Sequence, residues 1–94
     1  MTAHREEEAM GLDRIYDKLL KKGVYRHFKG NYYELLCVAY NSEDTSPMVV
    51  YRALYGEGMI WVRDAAMWCE RVTGSSGEVA RFEFVGDSAQ EIPD

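Results

Sequence analysis

The hydrophobic period changes at Gly23, and that change most constrains the fold. Ahead of it, REEEAMGLDRIYDKLLKKG puts Leu12, Ile15, Tyr16, Leu19 and Leu20 at i, i+3, i+4, i+7 and i+8, the single apolar stripe of an amphipathic helix. Glu6 to Glu8 near its start and Lys18, Lys21 and Lys22 near its end suit the helix dipole, and Gly23 is the expected C′ residue. Beyond Gly23 the chain alternates, and short β-prone runs are cut by turn residues at close intervals. Val24–Lys29 and Tyr32–Tyr40 are separated by Gly30-Asn31; the polar NSEDTSP loop leads to Met48–Tyr55; Gly56-Glu57-Gly58 turns the chain back into Met59–Arg63. Asp64 then starts one short helical turn, DAAMWCE, and Arg71–Thr73, GSSG and Glu78–Val85 read as a last hairpin.

One helix followed by five or six short strands predicts a mainly β fold, first a small antiparallel barrel of the SH3-like kind, second an open or bent sheet covered by the helix. The expected organisation is an N-terminal helix over 1–22, a β domain over 23–85 and an acidic flexible tail over 86–94. At 94 residues the core of one such domain is thin and depends on large side chains, which the 13% aromatic content supplies.

Charge narrows the choice of partners. The net charge is −5, distributed as −2 over residues 1–20, +2 over 21–63 and −5 over 64–94. An overall acidic chain disfavours nonspecific duplex binding and leaves room for a local cationic patch in the middle block. No apolar run is long enough to span a bilayer and MTAHREEEAM is not a secretory leader, so a cytoplasmic protein is expected. Cys37 and Cys69 form no CxxC pair and only His4 and His27 could join them, which points to buried reduced thiols and away from a metal. No phosphate loop or dinucleotide glycine pattern occurs, so no cofactor is expected.

Strand alternation divides the candidate residues between faces. Tyr25, His27 and Lys29 share one face of the first strand, Arg26 and Phe28 the other. In VVYRALY, Tyr51 shares a face with Val49, Ala53 and Tyr55, while Arg52 lies between Val50 and Leu54 and needs a carboxylate such as Glu34 or Glu43 if buried. Arg63 ends the next strand beside Trp61. The aromatics and cations of the middle block combine stacking with charge. Ser42-Glu43-Asp44 has no histidine or lysine beside it in sequence, and the two acids point apart if the loop is extended, so a surface turn is expected.

The blocks YRHFKGNYYELL, NSED, MVVYRALYG and WVRDAAMW, in this order and spacing, resemble a bacterial family catalogued as domain of unknown function 1653, over residues 23–84. The family pattern carries a histidine ahead of the serine and glutamate of the loop; here Asn41 stands in its place. Asp64 replaces a proline and Trp68 takes the aromatic position. A general base at the loop histidine would be missing from this chain, so the resemblance weighs against catalysis shared across the family.

Three functions follow. The first is a non-catalytic binding module with an aromatic and arginine groove built from Tyr25, Arg26, His27, Lys29, Glu43, Tyr51, Arg52, Trp61 and Arg63. Its ligand would be a peptide, a nucleotide or single-stranded nucleic acid. The second is a small-substrate enzyme with His27 as acid/base and Arg52 or Arg63 as anion clamp. The third is a structural domain that dimerises through its N-terminal helix.

Overall fold

The computed structural model describes residues 20–93. The expected N-terminal helix lies outside these residues, except that Leu20, the last member of its stripe, is buried in the core. Among these residues seven strands form two antiparallel sheets. Strands β1 (Gly23–His27), β2 (Tyr32–Tyr40), β3 (Pro47–Ala53) and β4 (Ile60–Asp64) lead to a single helical turn, α1 (Ala65–Trp68). Strands β5 (Arg71–Gly74), β6 (Gly77–Ala80) and β7 (Phe82–Gly86) follow, and a 3-10 turn (Ala89–Glu91) folds back beside β7. The larger sheet has the order β4-β3-β2-β1-β7; β5 and β6 pair only with each other. Among the described residues no helix is long and apolar enough to cross a membrane.

The SH3-like barrel is not formed. The edge strands β4 and β7 share no backbone ladder, so the sheet remains open. Side chains bridge the two edges instead. Trp68, carried by α1 immediately after β4, stacks flat on Phe82 of β7, and the Arg63 guanidinium of β4 lies 5.8 Å from the centre of the same ring. A ladder needs backbones about 4.8 Å apart; rings packed between the edges keep them farther apart than that.

The last predicted strand is also corrected. Glu78–Val85 reads as one alternating run, yet it breaks at Arg81 into strands of two different sheets. Arg81 turns its backbone to other partners: its N–H donates to the Glu70 carbonyl, and its carbonyl accepts from Phe28 N–H on the β1–β2 turn.

One face of the large sheet carries the core. Register places Tyr25 opposite Tyr33, Tyr33 opposite Ala53, Leu35 opposite Tyr51, and Tyr51 opposite Trp61. A bulge at Leu36 shifts the pairing so that Val38, opposite Val49, stays on that face, and such a bulge also sharpens the twist. Leu35, Val49, Ala65 and Trp68 are the most deeply buried members of the cluster. The opposite face carries Arg26, Glu34, Arg52, Ile60 and Val62, the last two more than half exposed.

Gly23 is the first residue of β1, with φ +138°, and a Cβ there would sit 2.6 Å from the Gly86 carbonyl oxygen. Glycine is required because β7 crosses so closely. Cys37 is half-buried and Cys69 exposed, both as free thiols, so the expectation of two buried cysteines fails at Cys69.

Candidate functional site

The core-bearing face of the large sheet ends in an aromatic cluster, called the mouth below, with Arg63 beside it. Tyr33, in the middle strand, meets five neighbours edge-on or tilted: His27 at 6.2 Å, Tyr51 at 5.5 Å, Tyr55 at 5.6 Å, Phe82 at 5.7 Å and Trp61 at 6.4 Å between ring centres. Trp68 and Phe82 form its floor, with Tyr51 and Tyr25 edge-on to Trp68. Two aromatic rings of the mouth remain open to solvent, Trp61 at 36% and Tyr55 at 42% exposure. The Tyr33 and Tyr55 hydroxyls are 3.0 Å apart, and burial, followed by this bond, pushes the Tyr33 hydroxyl up to about 12.

Arg63 is the cation of this face. Strand alternation places it with Trp61 on the core-bearing side, where it is half-buried. Its Nε lies 3.5 Å from the Tyr51 hydroxyl, at the outer limit of a hydrogen bond, and no carboxylate lies within 4 Å of it among the described residues. A guanidinium has five N–H donors, so most of its capacity is unspent.

His27 packs against Phe82 at 4.9 Å and Phe28 at 4.7 Å. Its Nδ1 accepts the Lys29 backbone N–H at 3.1 Å, which assigns the ring proton to Nε2. Burial, and then the charges of Arg63, Arg81 and Lys29, hold its pKa below the ordinary 6.5. At pH 7 His27 is therefore a neutral ring with an Nε2–H donor, set among three cations. Arg81 is the only one of the three with an ion pair among the described residues, to Glu70 at 2.8 Å. Its Nε is buried without a hydrogen-bond partner among the described residues.

This arrangement can bind an anion joined to a planar group. Rings offer stacking faces, Arg63 offers charged donors, and His27 offers a neutral one. It is poorly built for proton transfer, since no carboxylate acts on His27 among the described residues and the Nδ1 lone pair is engaged.

Of the nine candidate residues, Tyr25, His27, Tyr51, Trp61 and Arg63 share the core-bearing face. Arg26 and Lys29 line a separate cleft behind β1, so Lys29 does not share the face of His27 as alternation predicts, because β1 ends at His27. Arg52 lies exposed on the opposite face, across from Glu34 in register and without an ion pair among the described residues. Glu43 sits in the β2–β3 loop, where its N–H donates to Asn41 Oδ1 and Asp44 Oδ1 accepts from Ser46 N–H. That loop adjoins Tyr40, whereas His27 adjoins Tyr32, so the nine residues of β2, about 30 Å of extended strand, separate them. A groove uniting the first strand, this loop and the GEG hairpin is therefore not present. Tyr33, Tyr55, Trp68, Phe82 and Arg81 also belong to the site and lie outside these nine; the local sign at Arg81 is a cation inside an apolar run.

The family profile described as "Protein of unknown function (DUF1653)" matches residues 23–84, from the start of β1 into β7. The chain is also similar to a solved structure, the crystal structure of a protein belonging to DUF1653 from Bordetella bronchiseptica. The two share 36% identity and a TM-score of 0.68, over 72% of this chain and 90% of that one. No curated protein matches the chain.

Proposed function

The chain belongs to the family of unknown function DUF1653, and we propose that it is a non-catalytic binding module whose mouth takes a planar group bearing a phosphate, as in a nucleotide. The observation that carries this reading is Arg63. A half-buried guanidinium normally has a carboxylate or carbonyl partner, because removing charge from water is costly. Here it lies against Phe82 and the edge of Tyr51 with most of its donors unspent. The neutral Nε2–H of His27 adds a donor without adding a fourth charge, and the exposed rings of Trp61 and Tyr55 supply the stacking faces.

Calorimetry tests it. Nucleoside monophosphates should bind, and the matching nucleosides, lacking the phosphate, should bind about tenfold or more weakly, the scale of a hydrogen bond to a charged group. Equal affinity for nucleoside and nucleotide would remove the anion site.

A further inference from the structure

Behind the mouth, on the other side of β1, a cleft of about 570 Å³ lies between that strand, β7 and the β5–β6 hairpin. Its chemistry is mixed. Arg26 and Lys29 are cations, Glu83 is an acid, Phe28 and Val79 are apolar, and Ser75 and Ser76 sit in the hairpin turn. Arg26 and Glu83 face each other in register, yet no ion pair joins them among the described residues.

The mouth and the cleft lie on opposite faces of β1 and share a wall at the β1–β2 turn. Phe28 lines the cleft and also packs against the His27 ring. Lys29 lines the cleft, its ammonium 5.8 Å from the centre of Phe28, while its backbone N–H donates to His27 Nδ1. Around the β1–β2 turn the cations therefore run from Arg63 and Arg81, past His27, to Lys29 and Arg26.

We propose that the mouth and this cleft are successive subsites for neighbouring nucleotides of a short single-stranded nucleic acid, whose backbone passes over the Phe28–Gly30 turn. The inference rests on the nucleotide reading of the mouth and extends it. Glu83 decides between classes of ligand. An acidic peptide would bring carboxylates against it, whereas a nucleotide brings a phosphate for Arg26 and Lys29 and a base edge for the carboxylate. A carboxylate accepts from an exocyclic amino group, which cytosine and adenine carry and uracil lacks. The cleft therefore favours C or A over U.

Fluorescence anisotropy on the full chain tests this with 5′-labelled trinucleotides CCC, AAA and UUU, unlabelled CMP and AMP as competitors, and a hexaglutamate peptide. CCC and AAA should bind about tenfold tighter than CMP and AMP, and more tightly than UUU. Arg26→Ala should weaken CCC severalfold and flatten the salt dependence; Glu83→Gln should erase the preference for C over U. Both residues are exposed, so the variants should fold, which a native amide spectrum checks. Trinucleotides that bind no tighter than mononucleotides would overturn the second subsite and leave the mouth standing. Failure of CMP and AMP to bind would overturn both. Hexaglutamate binding as tightly as CCC would overturn the nucleic-acid assignment.

Discussion

Trp68 and Phe82 lie face to face, their ring centres 3.6 Å apart and their planes within 2° of parallel. One comes from the helical turn after β4 and the other from β7, so this stack ties together the two edges of a sheet that the backbone leaves open. Trp68 is buried, and its indole N–H has no hydrogen-bond partner among the described residues. The stack thus carries the unfavourable term of an unmatched donor, of about 1–3 kcal/mol, against a large gain in packing.

Truncating either ring should open the sheet edge. Trp68→Ala and Phe82→Ala are each expected to lower unfolding free energy by about 3–5 kcal/mol in urea. Trp68→Phe retains a ring and removes the unmatched N–H, so its loss should be clearly smaller. Equal losses for Trp68→Ala and Trp68→Phe would show that the stack does not bind the edges.

Gly23→Ala is expected to cost about 1–3 kcal/mol, from a backbone conformation that L-residues avoid, with the approach to the Gly86 carbonyl adding to it. Gly30→Ala is the control, because φ is +115° there but the added Cβ meets nothing within 4 Å. Urea midpoints for the two variants separate backbone strain from strand crowding. Equal losses would leave the close crossing of β7 without energetic weight.

The pH dependence follows from His27. Its folded pKa lies below the ordinary 6.5, so the unfolded chain takes up the proton first as pH falls. This contribution to stability is complete above 6.5 and is lost as pH drops from 6.5 through the lower folded value. The urea midpoint should therefore decline over that interval, and His27→Gln should flatten the decline. A bound phosphate should raise the His27 pKa, so anion affinity should increase toward acid. A His27 that titrates above 6.5 in the free protein would contradict this.

Local pattern made the strands legible more readily than their assembly. The Tyr32–Tyr40 strand runs over the predicted residues, and the helical turn after Asp64 falls within the predicted segment, though the Asp64 side chain makes no capping bond. Alternation also sorted Arg26 from His27 and Arg52 from Tyr51 correctly between faces. It could not say which face would be covered. Arg52, expected in the site, lies on the open side, while Arg63 shares the face of Trp61 and Tyr51.

The rest depends on non-local contacts. Nothing between Glu78 and Val85 signals that Arg81 bonds to Glu70 and Phe28, so the change of sheet there is invisible in the local period. Barrel closure is likewise decided by which rings stand between β4 and β7. The separation of Glu43 from His27 comes from the register and length of β2, which an antiparallel pair reveals only once its strands are aligned.

The central claim is that Arg63 and its aromatic surroundings form an anion-binding mouth. Titrating the ¹⁵N-labelled protein with AMP, wild type beside Arg63→Gln, tests it most directly. Saturable shifts should appear at His27 Nε2, the Trp61 indole and the Arg63 side chain, with affinity about tenfold lower in the variant. Shifts confined to other surfaces, or an affinity unchanged by Arg63→Gln, would contradict the account.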